Sequence, residues 1–444
     1  METAQKRIAA DGESKLPDEI IQHIQSLMSE RDAARTTLLS KSWHGAWCTR
    51  PNLCLDPFTF RYRMDEFPIF ARKSMQRYED SNLKIKSFKL WVEGDDDSDL
   101  ARELILKAIK LGATDLTIDV PTWVSINLPY EVLESETLAR LSVQNVSVDF
   151  KKRNKAVNSS NLKSLHLSNV TVKGDLIRDL ISRCPSIEEL TLRNLRRSSR
   201  FYCDDDTMIE VHKLIKLHKL KYLRLDGLPI KDGLSKHDLW PQFACLKELV
   251  IENINLDYVR ICSPSLERIT IHLHEFRNVM VAEFDVPNIR YFKFEGTNKI
   301  PSLKFRAKDG REWESDIRIH IRPRRSGSAT SASWFSSLKQ LVKMLSPSRV
   351  SLSIFMGDDG YGYGYVGDGL ATPAVENLTL RGFGLTSVFM DALLWSCCPN
   401  FIDIEKGYAE MVDLKVYKQL KKKKTLLDAA KKRNHGEILH FQRK

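Results

Sequence analysis

Between Leu16 and Trp47 the apolar positions fall into three short helical patterns. Leu16-Pro17-Asp18-Glu19 opens the first. Proline at the first helical position gives up no needed N–H, and the two acids face the positive end of the helix dipole. Ile20, Ile21, Ile24, Leu27 and Met28 follow on one stripe. Ser29 or Asp32 caps a second helix carrying Ala33, Ala34, Thr37, Leu38 and Leu39. Ser40 or Ser42 starts a third, with Trp43, Ala46 and Trp47 on one face and Pro51 closing it. A unit this short lies below the roughly 40 residues that normally hold a core alone. Its tryptophans and its row of Ile, Leu and Met must be covered by something else, either the body of the same chain or a partner that offers a groove.

Beyond this segment the pattern changes to apolar-x-x-apolar-x-apolar. It recurs as Leu138/Leu141/Val143, Leu162/Leu165/Leu167, Ile187/Leu190/Leu192 and Leu220/Leu223/Leu225. Leu246/Leu249/Ile251, Leu266/Ile269/Ile271, Ile289/Phe292/Phe294 and Val375/Leu378/Leu380 continue it. Weaker forms stand at Ile85/Phe88/Leu90, Ala113/Leu116/Ile118, Ile317/Ile319/Ile321 and Val350/Leu352/Ile354. Starts lie commonly 20 to 26 residues apart, the period of a solenoid in which each unit gives one short strand and a return arm. An ordinary α/β domain is the rival reading, and the near-fixed spacing argues against it. Asn145, Asn169, Asn194 and Asn253 stand near strand ends, where their side chains can bond turn backbone. Asp175–Cys184, Phe389–Cys398 and a segment from Asp97-Ser98-Asp99 to Leu111 read as helical return arms. Asp204-Asp205-Asp206 marks a loop insertion, and the period degrades between Phe294 and Val375.

The opening segment resembles an F-box, the module that docks on the Skp-type adaptor of cullin–RING ubiquitin ligases. Leu16-Pro17, Ile20, Ile24, Leu27, Asp32, Ala33, Leu38, Ser40, Trp43 and Trp47 carry that likeness. The final MDALLWSCCPNFIDIEK, and the order of F-box followed by short repeats, resemble plant F-box proteins with leucine-rich repeats. The resemblance implies an α/β chain: a three-helix F-box, then a curved leucine-rich-repeat solenoid of parallel strands with helical or irregular return arms. It implies adaptor contacts through Leu16, Pro17, Ile20, Ile24, Leu27, Leu38, Trp43 and Trp47. Lys41-Ser42 is a mild departure from the basic residues that often flank the third-helix serine in that family. The expected layout is a disordered 1–14, F-box 15–50, a linker or helical connection 51–80, irregular repeats 81–405 and a basic tail 406–444. Mobile loops are expected near 322–333 and 356–370.

Composition limits the alternatives. The chain has 444 residues, enough for two or three domains, 42% hydrophobic and 29% charged. No apolar run approaches the roughly 18 residues of a membrane span, and METAQKRIAADGES lacks the apolar region of a secretory signal. The eight cysteines form no CxxC pair, which suggests reduced thiols and a nuclear or cytoplasmic protein. Net charge is +11, but residues 414–444 hold eleven Lys/Arg against two Asp/Glu, a net of +9 that leaves only +2 elsewhere. The basicity therefore does not argue that the folded body binds nucleic acid. Lys421–Lys424 and Lys431-Lys432-Arg433 form either a nuclear import signal or a solvated basic helix.

Motifs for chemistry are weak. Gly362-x-Gly364-x-x-Gly367 matches a dinucleotide fingerprint in form, but Thr372-Pro373 and another strand follow where a helix is required. His272-x-His274 has no further ligand at a metal-site spacing, and Asp95-Asp96-Asp97-Ser98-Asp99 lacks the Gly and distant Glu of a calcium loop. No nucleophile–base signature is present. The expectation is a non-enzymatic subunit with no cofactor. Arg193, Arg224, Lys293, Arg322 and Arg381 stand against Asp226, Glu252 and Glu295 on the strand positions between the apolar residues. So mixed a face suits a polar protein epitope better than a polyanion. Client contacts are expected at Arg193, Arg224, Lys293, Arg381 and, on the Gly-rich loop, Tyr363. Expected partners are the Skp-type adaptor with its cullin and RING protein, and a client protein. Two other readings stay open: a binding scaffold without ubiquitin transfer, and a nucleic-acid-associated protein acting through its tail.

Overall fold

The computed structural model describes residues 16–57, 66–92, 98–122, 126–149, 161–173, 184–197, 210–228, 230, 239–254, 258–273, 281–308, 312–321, 332–356, 372–382 and 387–404. It divides into two compact units, residues 1–207 and 208–444.

The first unit opens with α1 (Asp18–Ser26), α2 (Glu30–Thr36) and α3 (Lys41–Thr49). Pro17 is the N-cap of α1, and its carbonyl accepts from the Ile20 and Ile21 N–H groups at 3.0 and 3.1 Å. Ser29, not Asp32, caps α2: its hydroxyl accepts from the Asp32 N–H at 3.2 Å and donates to the Asp32 carboxylate at 2.7 Å. Ser40, not Ser42, caps α3 through the Trp43 N–H at 3.3 Å. Each serine cap satisfies a donor that the helix itself leaves unpaired. Ile21, Ala33 and Ala46 are fully buried and form a small centre. Gln25, 1% exposed, ties the three helices together. Its amide donates to Thr36 Oγ1 at 3.0 Å and to the Trp43 carbonyl at 3.1 Å.

The region expected as a connection is part of the repeat body. It gives β1 (Asn52–Leu55) and α4 (Phe67–Asp80), followed by β2 (Ser87–Trp91) and α5 (Ser98–Lys110). Next come β3 (Asp115–Asp119), β4 (Ile126–Asn127), β5 (Arg140–Gln144), β6 (Val146–Asp149), β7 (Ser164–Ser168), β8 (Thr171–Lys173), β9 (Glu189–Arg193) and β10 (Arg196–Arg197). β1, β2, β3, β5, β7 and β9 form one parallel ladder, and β4, β6, β8 and β10 a shorter one. The register stacks like positions: Leu116, Leu141, Leu165 and Leu190 in one row, Ile118, Val143, Leu167 and Leu192 in the next. All eight are at most 2% exposed, and burial of such a side chain contributes roughly 1.5–3 kcal/mol. The repeating pattern of the sequence is therefore the core of the ladder.

The asparagines have a sharper role than turn bonding. Asn145 (φ 58°), Asn169 (φ 52°) and Asn194 (φ 45°) sit in the left-handed region, which tolerates Asn and Gly. Each lies between a strand of the long ladder and one of the short ladder. The N–H groups of Asn145 and Asn169 reach the next repeat at Ser168 O (3.0 Å) and Arg193 O (2.9 Å). These residues turn the chain from one sheet into the other.

The second unit repeats this plan with β11 (Tyr222–Asp226), β12 (Glu248–Glu252), β13 (Tyr258–Cys262), β14 (Arg268–His272), β15 (Val281–Asp285) and β16 (Tyr291–Thr297). β17 (Ser302–Arg306), β18 (Glu314–Ile321), β19 (Arg349–Met356), β20 (Ala374–Gly382) and β21 (Cys398–Ile404) complete it. β13, β15 and β17 form the side sheet, and the others the long ladder. Corners recur at Gly227 (φ 62°), Asn253 (φ 53°) and Asn298 (φ 42°). Phe284, Phe292, Phe305 and Trp313 pack ring on ring inside, with centroids 4.8–5.3 Å apart. A helix at Ala332–Leu345 begins within the stretch expected as a loop, and buries Trp334, Phe335, Leu338, Leu341, Val342 and Leu345. Phe335 meets Phe389 of the Ser387–Ser396 helix at 5.6 Å. That helix starts two residues before the expected Phe389. Cys398, expected at its end, instead begins β21, with Pro399 second in that strand. The expected arm Asp175–Cys184 lies outside the described residues except at Cys184, as do the Gly-rich loop and the basic tail.

Candidate functional site

Helices α1–α3 bury Ile21, Gln25, Ala33 and Ala46 and leave most of their other large apolar residues in solvent. Leu16 is 44% exposed, Ile20 47%, Leu27 76%, Met28 41%, Leu38 87% and Leu39 66%. Half of the large hydrophobic residues exposed among the described ones lie in this short segment. Pro17 is also exposed, and Ile24 and Trp43 are half-buried. Ile21, Gln25 and two alanines already fill the space between three such short helices, so the other long side chains of the segment have no room inside. Concentrated apolar exposure of this kind marks an interaction surface.

Trp47 has a different environment. The Arg50 and Arg77 guanidinium carbons lie 5.0 and 5.4 Å from its ring centre. Arg50, 7% exposed, also pairs with Glu30 at 2.5 Å, and its carbonyl accepts the Tyr78 hydroxyl at 2.7 Å. Tyr78 and Arg77 belong to α4. Trp47 thus joins the three helices to the repeat body through cation–π contacts.

The outward side of the ladder in the second unit is a field of paired charges. One row runs Arg224, Val250, Thr270, Lys293, Asp316, Ser351, Asn377, Phe401. The next runs Asp226, Glu252, His272, Glu295, Arg318, Ser353, Thr379, Asp403. Arg224 bonds Glu252, and Lys293 bonds Glu295 at 3.1 Å. His320 Nε2 lies 3.1 Å from the same Glu295, and its ring stacks on Phe355 at 4.4 Å. Burial pushes the Glu295 carboxyl up, but the bonds from Lys293 and His320 outweigh it and hold the group below the usual carboxylate range. Arg381 lies over Phe355 at 5.5 Å. Toward β21 the face opens into a groove of about 660 Å³ between Tyr291 and Phe401. Among the described residues no group of three or more His, Cys, Asp or Glu is placed to hold a metal ion. His272 lies beside Glu295 at 4.0 Å, and His274 is outside the described residues.

Comparison with known proteins agrees with this architecture. Residues 104–203 match the family model described as "FBD-associated F-box protein At5g56370, LRR repeats". The chain is 31% identical over 207 residues to the "Putative F-box/LRR-repeat protein At4g00320" of Arabidopsis thaliana, covering 42% of this chain and 40% of the relative. With the "F-box/LRR-repeat protein At3g58900" of the same plant it shares 29% identity, over 55% of this chain and 79% of the relative. "FBD-associated F-box protein At1g60410" is 27% identical, over 62% of this chain and 63% of that one. The chain is similar to plant F-box proteins with leucine-rich repeats. The match spans about two fifths of the length of the first two relatives.

In this chain the predicted site residues separate into three groups. Leu16, Pro17, Ile20, Leu27 and Leu38 are on the surface together, whereas Trp47 is engaged by the chain's own arginines. Met28 and Leu39 belong to the exposed set but not to the predicted site. Arg224 and Lys293 share a row, and each is already bonded to a carboxylate. Arg381 stands beside Phe355, and Arg193 belongs to the first unit. Tyr363 and Arg322 lie outside the described residues. The groove was missed because Glu314, Asp316, Glu376 and Asp403 come from three strands whose register the sequence does not reveal.

Proposed function

We propose that the protein is the substrate-recognition subunit of an SCF-type ubiquitin ligase. In this reading α1–α3 dock on a Skp-type adaptor, and through it on the cullin and RING protein, while the strand faces hold a client. The chain supplies position rather than chemistry: it raises the local concentration of client lysines near a charged conjugating enzyme. The observation that carries the reading is the exposed apolar set on α1–α3, which is anchored to the body on its other side.

Ile20→Asp combined with Leu38→Asp tests it. Both side chains are in solvent, so the fold should keep its circular dichroism and unfolding midpoint. Two lost apolar contacts remove about 3 kcal/mol or more, at least roughly a 100-fold loss of adaptor affinity. Undiminished adaptor capture by the double variant would refute the docking surface. Client ubiquitination reconstituted with purified ligase parts separates a ligase subunit from a scaffold.

A further inference from the structure

The groove beside β21 has an unbalanced lining. Its cations are already committed: Arg318 bonds Asp316 at 2.9 Å, and Arg349 bonds Glu312 at the rim. Glu314, Glu376 and Asp403 carry no side-chain hydrogen bond or ion pair among the described residues. Tyr291 and Phe401 bound the same space, and Phe401 is 42% exposed. Burial, reinforced by the Asp316 carboxylate, holds the Tyr291 phenol above its usual range, so it stays neutral. The floor between them is uncharged and hydrogen-bonding, with Ser351, Asn377 and Thr379.

We propose that this groove takes a lysine- or arginine-bearing segment of the client protein. The inference rests on the reading of the strand faces as the client-binding side. Three uncompensated carboxylates attract a cation and repel a phosphate or another acidic group. The aromatic rims suit the methylene stem of a long basic side chain, which buries its carbons and keeps its charge at a polar end. The uncharged floor can bond an extended backbone without asking for charge. A volume of about 660 Å³ is ample for one such side chain with its neighbours.

The test uses the full chain and fluorescence anisotropy at low salt. The probes are fluorescein-labelled Gly-Ser-Lys-Arg-Lys-Ser-Gly and a counterpart with glutamine at the three central positions. The basic peptide should bind more tightly, and 0.5 M NaCl should weaken it. Glu314→Gln with Glu376→Gln and Asp403→Asn keeps side-chain size and should lower its affinity about tenfold or more. Equal binding of the two peptides, or unchanged binding by the triple variant with native circular dichroism, overturns the proposal. Binding that appears only after residues 405–444 are removed also overturns it, because the chain's own basic tail would then be the occupant. Adaptor capture by the same samples is scored separately. If it is absent while the peptide result holds, the ligase reading fails and the groove remains.

Discussion

Asn253 offers a direct measure of what the corners contribute. Its φ is 53°, its N–H reaches His272 O at 2.9 Å, and its side-chain amide donates to Asp226 Oδ1 at 2.7 Å. Asp226 is 1% exposed. Asn253→Ala loses two things: a conformation that costs an alanine about 1–2 kcal/mol, and a bond to a buried carboxylate worth about 1.5–3 kcal/mol. The expected destabilisation is therefore about 2.5–5 kcal/mol. Asn253→Gly loses the same bond but keeps the backbone. Glycine incurs about 0.4–1 kcal/mol of unfolded-state entropy, so it should outperform alanine by roughly 0.5–1 kcal/mol. Gly227 occupies the preceding corner at φ 62° and makes the equivalent bond to Glu252 O at 2.9 Å, which shows that this position accepts glycine. Urea unfolding of the full chain, followed by tryptophan fluorescence, gives the ranking. Amide exchange at the Asn253 N–H localises it. If alanine equals or outperforms glycine, backbone conformation does not govern the corner. If both are neutral, the link to Asp226 adds nothing.

Other consequences can be checked in the same assay. Glu295 has a depressed folded pKa, so its stabilisation is complete above the unfolded carboxyl value of 4.5 and is lost as pH falls through the lower folded value. Glu295→Gln should flatten the acid limb of the stability–pH curve below that value, and an unchanged limb would contradict the Lys293–Glu295–His320 assignment. A Cβ at Gly296 would stand 2.8 Å from the Phe294 ring, which is 1% exposed. Gly296→Ala should therefore cost about 1–3 kcal/mol, read as a lower urea midpoint, whereas a neutral result would mean that the ring can move aside.

Rows such as Leu223–Leu249–Ile269–Phe292 were legible because a strand with one buried face must alternate, and stacking repeats that alternation at a fixed interval. The left-handed corners were visible as asparagines but not as conformations. The Ala332–Leu345 helix carried a readable signal in Trp334, Leu338, Leu341, Val342 and Leu345, hidden behind the Ser-rich run that precedes it. The side sheet was harder to see. Val259/Ile261, Ala282/Phe284 and Leu303/Phe305 are short alternations whose partners lie in neighbouring return arms. The candidate site shows the same division. Exposure of Leu27 and Leu38 follows from too many large residues in too short a segment. The groove depends on register, and the commitment of Arg318 and Arg349 to nearby acids depends on side-chain geometry.

The seam around Trp47 has a mechanical consequence. Arg50 leads directly from α3 into β1, while its side chain is clasped by Glu30 and its carbonyl by Tyr78. A bend between α3 and α4 would have to break these contacts together. Weakening the clasp, for instance at Arg77, would leave both surfaces chemically intact and alter only the angle at which one is presented to the other. Arg77 thus bears on how the stripe is held without belonging to it.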